Sequence, residues 1–121
     1  MNLNFLNPPT QGRFFTQFVL LLTLVCSTAL LADETVWIDV RSAQEYSEGH
    51  VPDAINIPYE EIVTGVADLG LDLDQPINVY CGSGRRSGIA KESLESVGYT
   101  QVVNLGGLDD ALAIAEAEAT E

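Results

Sequence analysis

The chain has 121 residues, 18 of them acidic and five basic, for a formal net charge of −13. That length holds one domain around one modest core. A surface this acidic repels nucleic acid and anionic lipid headgroups, which excludes both as partners of the folded part. One histidine, and one cysteine outside the apolar N-terminal stretch, fall short of the usual zinc ligand set, so no metal is expected.

Residues 14–31, FFTQFVLLLTLVCSTALL, carry no charge; Arg13 precedes them and Asp33 and Glu34 follow. A single base, an apolar run and small residues (Ser27, Ala29, Ala32) near its end are the layout of a secretory signal peptide. The expected division is a leader over 1–32 and a folded domain over 33–121, placed in the periplasm. The same run could just span a bilayer if retained, so membrane contact depends on whether it is cut. Cys26 is a poor lipoprotein site, because Val25 before it is larger than the small residue such sites use.

Loss of the leader leaves 18 acidic residues against Arg41, Arg85, Arg86 and Lys91, a net charge near −14. Three of those four bases lie between 85 and 91, and at a Debye length of about 8 Å a small anion beside them feels them more than the distant acids.

TVWIDV (35–40) reads as a buried strand, rich in β-branched and aromatic residues. Ser42 with Glu45 three residues on is a capping box, predicting a short helix that stops at Gly49. AINIP (54–58) is a second strand, and Tyr59, Ile62, Val63 and Val66 then recur on one helical face. DLDQP turns the chain into INVYC (77–81), a third strand. Ile89, Ala90, Leu94 and Val97 mark the buried stripe of a helix that Gly98 ends. QVVNL (101–105) is a fourth strand, followed by Gly106-Gly107 and an Ala/Glu-rich helix. Strands alternating with helices give βαβ units, hence an α/β fold with a central, mostly parallel sheet and helices on both faces. Ligands of such sheets sit at the carboxyl ends of the strands, and Cys81 is at one of them.

VYCGSGRRSG (79–88) sets Cys81, the one cysteine outside the leader, ahead of Gly82, Ser83, Gly84, Arg85, Arg86, Ser87 and Gly88. Alternate glycines let main-chain N–H groups converge, because no Cβ blocks the curl. A helix N-terminus adds free amides and the positive end of its dipole. The pattern describes a cup for an anion with a sulfur at its base. A thiol of ordinary pKa is only a few per cent ionised at neutral pH; lowering it by about two units makes most of it the nucleophilic thiolate. The bland alternative is a buried strand ending in a turn, with Cys81 a small core residue.

WIDVRSAQEYSEGHVPDAINIP followed by VYCGSGRRSGIAKESLESVGYTQVVNLGGL resembles a single-domain rhodanese and, with its leader, the periplasmic type of that family; the likeness runs over about 36–112. The resemblance implies a rhodanese-like fold and a thiosulfate sulfurtransferase working by a ping-pong route. Cys81 would take the outer sulfur of thiosulfate as a persulfide and pass it to cyanide or a thiol, with no cofactor beyond that covalent intermediate. Gly82, Ser83, Gly84, Arg85 and Arg86 would hold the anionic donor, either arginine pointing inward. Asp39, Arg41 and His50 match family positions and read as structural supports. The tail GGLDDALAIAEAEATE lacks the aromatic residue that many rhodaneses carry there.

Two other readings share the cup. Cysteine-dependent phosphatases and arsenate reductases of this fold place five residues between Cys and Arg, whereas here three precede Arg85 and four precede Arg86. A persulfide carrier or binding module would load one sulfur and stop.

Overall fold

A computed structural model describes residues 34–121, and the expected leader lies outside them. Four strands, β1 (Val36–Asp39), β2 (Ile55–Asn56), β3 (Ile77–Cys81) and β4 (Val102–Gly107), form one sheet in the order β2-β1-β3-β4. Every pairing is parallel. Among the described residues five helical segments alternate with them: α1 (Ala43–Ser47), a 3₁₀ turn (Tyr59–Glu61) running into α2 (Ile62–Asp68), α3 (Arg85–Ser96) and α4 (Leu108–Ala119). Among the described residues no helix is long and apolar enough to cross a membrane.

Strand periodicity divides the core. Ile38 and Val40 from the β1 region and Ile77, Val79 and Cys81 from β3 join Ile62 and Val66 of α2 and Ala90 and Leu94 of α3. Tyr80, half a period away, joins Val51, Ala54 and Ala111 of α4, with Trp37, Leu105 and Leu108 against them. All five residues of β3 are buried, as a central strand covered on both faces requires. Each fully buried Ile or Leu contributes about 1.5–3 kcal/mol.

The capping box forms as expected: the Glu45 amide donates to Ser42 Oγ at 3.2 Å, and the Ser42 amide to Glu45 Oε1 at 3.4 Å. Three sequence expectations need correction. Val63 is 36% exposed, because the buried face of α2 is the narrower pair Ile62 and Val66. α3 begins at Arg85, and its inner stripe is Ser87, Ala90 and Leu94 rather than Ile89, Ala90, Leu94 and Val97. Ile89, one position and about 100° off that stripe, faces out, and Val97 is the C-cap residue, past the last helical turn; both are exposed. Gly98 does follow the helix end, at φ +105°.

Without an aromatic residue in the tail, α4 buries only Ala111 completely. Beside it lies an open groove of about 540 Å³ between α4 (Leu112, Ala115, Glu116, Ala119) and Pro52 and Asp53.

Candidate active site

Cys81 is the last residue of β3, and only Gly82, Ser83 and Gly84 separate it from α3. Gly84 sits at φ +92°, where a side chain is strained, and a Cβ there would lie 3.3 Å from Gly106 Cα. A Cβ on Gly107 would lie 2.7 Å from the Gly82 carbonyl oxygen. The Gly106-Gly107 pair therefore passes against the sulfur loop. β4 runs through both glycines, and a register shift between Val79 and Cys81 pairs Cys81 with Gly107.

The short loop delivers main-chain hydrogens to one atom. The Gly84 amide donates to Cys81 Sγ at 3.0 Å, and the Ser87 hydroxyl lies 3.4 Å from it. α3 has no side-chain cap of its own, so the sulfur occupies the place of the capping oxygen and answers amides at the positive end of the helix. Burial opposes charge on the sulfur. The Ser87 hydroxyl and the amides of Ser87, Ser83 and Gly84 outweigh that opposition and bring the thiol from 9.0 down to about 7. The side chain has no exposed surface: its inner flank packs in the apolar cluster and its outer flank meets the loop.

The two arginines have different surroundings. Arg86 makes a bidentate pair with Glu45, Nη1 to Oε1 at 2.7 Å and Nη2 to Oε2 at 3.0 Å. That grip keeps its guanidinium over the loop, where a Cβ on Gly82 would meet Nη2 at 3.2 Å. The Arg86 pKa is raised, chiefly by Glu45 and in smaller part by the Cys81 sulfur, and Glu45 is lowered to about 2, chiefly by Arg86. Arg85, one residue earlier, is exposed.

Asp39, Arg41 and His50 lie apart from the sulfur's hydrogen bonds. Asp39 is fully buried, and its carboxylate accepts from Arg41 Nη2 at 2.6 Å, from Nε at 3.0 and 3.1 Å and from the Arg41 amide at 2.9 Å. Arg41 Nη2 also donates to the Gly49 carbonyl at 2.7 Å, tying the β1 end to the segment before β2. The hydrogen bonds to Asp39 raise the Arg41 pKa against the opposing effect of burial. His50 is exposed, stacks on Tyr46 with centroids 3.6 Å apart, and donates from Nδ1 to the Tyr46 carbonyl at 2.8 Å. Tyr80 accepts the Val51 amide at 3.0 Å on the same side, its pKa pushed up to about 12 by burial.

Five residues were not assigned to the site from the sequence. Ser87 was read only as part of the loop, Glu45 only as a capping residue, and Gly106-Gly107 only as the strand's sequel. Asn104 had no role at all, although it links Ser87, Gly84 and Gly106. Its sole signal was a polar residue in an otherwise apolar strand run.

The rhodanese-like domain family model matches residues 27–112. The chain is 46% identical to thiosulfate sulfurtransferase PspE of Escherichia coli K12, over 79% of this chain and 91% of that protein. It is 33% identical to thiosulfate sulfurtransferase GlpE of Pseudomonas savastanoi pv. phaseolicola, over 65% and 73%. Among solved structures, a rhodanese with anions from E. coli superposes with a TM-score of 0.61 at 47% identity, covering 64% of this chain and 91% of that one. With the parallel sheet and the cysteine loop at its carboxyl edge, these matches establish that the chain belongs to the rhodanese family of sulfurtransferases.

Proposed function

We propose that the chain moves the sulfane sulfur of thiosulfate through a Cys81 persulfide to cyanide or a thiol acceptor, in a ping-pong cycle. The observation that carries this reading is the convergence of the Gly84 amide and the Ser87 hydroxyl on Cys81 Sγ, at 3.0 and 3.4 Å, at the start of α3. A sulfur so held is a thiolate in half of the molecules near pH 7. Its lone pair attacks the outer sulfur of thiosulfate, the S–S bond breaks, and the bonding pair leaves with sulfite. The persulfide keeps one negative charge, on the outer sulfur, among the loop amides. Attack by cyanide on that sulfur returns the thiolate and releases thiocyanate.

Arg86, aligned by Glu45, forms a fixed positive wall beside the sulfur, and exposed Arg85 meets the incoming dianion first. Asp39, Arg41 and His50 brace the β1 end and the segment leading to β2. Because Cys81 has no exposed surface, the donor's narrow outer sulfur must enter by parting the loop, which favours a slim terminal sulfur over a bulky tetrahedral phosphate. The leader would place this chemistry in the periplasm. Incubation with thiosulfate and cyanide tests the reading: sulfite and thiocyanate should accumulate over many turnovers and vanish in Cys81→Ala. One sulfur per chain with no further product would make it a carrier, and aryl phosphate hydrolysis without sulfite release would make it a phosphatase.

A further inference from the structure

Asn104 stands on β4, and its side chain reaches across to the sulfur loop. Main-chain partners of fixed polarity determine its amide orientation. Nδ2 donates to the Gly84 carbonyl at 2.9 Å, and Oδ1 accepts from the Gly106 amide at 2.9 Å. A flipped amide would set acceptor against acceptor and donor against donor. Oδ1 therefore faces the Ser87 hydroxyl, 2.7 Å away. Ser87 is fully buried, and the same hydroxyl lies 3.4 Å from Cys81 Sγ. It has one hydrogen and two neighbours that each want it.

We propose that Asn104 is a positioning residue for the reacting sulfur: it seats the Ser87 hydroxyl and competes with Cys81 for its single hydrogen. While Cys81 is a thiol, its S–H donates to Ser87 Oγ and the hydroxyl donates to Asn104. When Sγ is charged, the hydroxyl rotates and donates to sulfur, while Oδ1 keeps the Gly106 amide. The thiol proton leaves to solvent as Sγ ionises, whereas the Ser87 O–H bond stays intact and only turns. Extended to the catalytic cycle, which rests on the sulfur-transfer reading, the hydrogen returns to Asn104 once the charge has moved to the outer sulfur of the persulfide. The site would thus follow the charge without expelling a proton. The charged groups around it are Arg86 and Arg85 of α3, Glu45 of α1 behind Arg86, and Asp110 of α4, whose carboxylate accepts the Gly107 amide. All four are unchanged in the variants below.

The test is the pH midpoint of thiolate ultraviolet absorbance in the free protein, without any sulfur donor. Ser87→Ala should raise the midpoint. Asn104→Ala should lower it by roughly half a pH unit, because the hydroxyl then donates to sulfur uncontested, and should leave it unmoved in a Ser87→Ala background. A midpoint that rises in Asn104→Ala, or that shifts equally with and without Ser87, would reduce Asn104 to a structural prop and overturn the proposal. Should Asn104→Ala fail to fold, Asn104→Asp serves instead: its stronger acceptor should raise the midpoint more with Ser87 present than in Ser87→Ala, and equal rises would overturn the proposal. Failure here would leave sulfur transfer intact, and failure to take up sulfur would leave these midpoints intact.

Discussion

At Cys81 two demands meet: the sulfur is walled in by Val79, Ala90 and their neighbours, yet it has to carry charge. Hydrogen bonding decides the outcome, bringing the thiol down to about 7. The rate of sulfur transfer at low thiosulfate should accordingly rise with pH through about 7, and the limb should move upward in Ser87→Ala. The same shift has a stability signature. An acid whose folded pKa is depressed stabilises the fold fully above its unfolded value, 9.0, and loses that contribution as pH falls through about 7. Denaturant unfolding of the wild type should show this slope, and Cys81→Ser should lack it. The two arginines should also separate. Arg86→Ala should lower kcat/KM for thiosulfate about tenfold, roughly 1.4 kcal/mol, and Arg85→Ala much less, because an exposed mobile cation interacts weakly. That the thiol, the glycines and the arginines share one loop was legible because they are adjacent in sequence and follow an apolar run. The different surroundings of the two arginines were not, since they depend on a Glu45 contact 41 residues away. Ser87 and Asn104 were equally hidden, being joined across 17 residues by the β4 register.

α3 and β4 define the cup from its two sides. The sulfur takes the place of a side-chain cap, so Cys81→Ala strips the acceptor from the part-buried Gly84 amide, whereas Cys81→Ser keeps an oxygen there. Both variants should be inactive, with the alanine form less stable than the serine form by about 1 kcal/mol in urea unfolding. On the other side, Gly107→Ala would force a methyl group to within 2.7 Å of the Gly82 carbonyl. The loop must shift, so this variant should lose most of its kcat while keeping a cooperative thermal transition. The strand of INVYC and the capping box at Ser42 were legible because local patterns dictate them. The stripe of α3 was misread at Ile89 and Val97 because Ile89 lies about 100° off the buried face and Val97 past the last helical turn.

Across the molecule, a formal charge of −13 surrounds a site that has to admit a dianion. At about 0.01 M ionic strength the Debye length is about 30 Å, comparable to the whole domain, so the acids repel thiosulfate collectively. Near 0.15 M it is about 8 Å, and the bases of the first turn of α3 dominate instead. Added neutral salt should therefore raise kcat/KM for thiosulfate several-fold over that range, with kcat nearly constant; a steady fall would mean that the arginine cluster governs encounter at long range. The parallel sheet was legible from the alternation of strands and helices, whereas the groove beside α4 was not, since it lies between α4 and Pro52 and Asp53, about 60 residues apart in the chain.

Intact-mass measurement of the protein after exposure to thiosulfate, with peptide mapping and parallel assay of sulfite, addresses the sulfur's role most directly. The chain should gain the mass of one sulfur atom on the peptide holding Cys81, release one sulfite for each, and return to its starting mass on adding cyanide. An unchanged mass, or a gain that persists in Cys81→Ala, would contradict a reactive sulfur cradled by main-chain hydrogens.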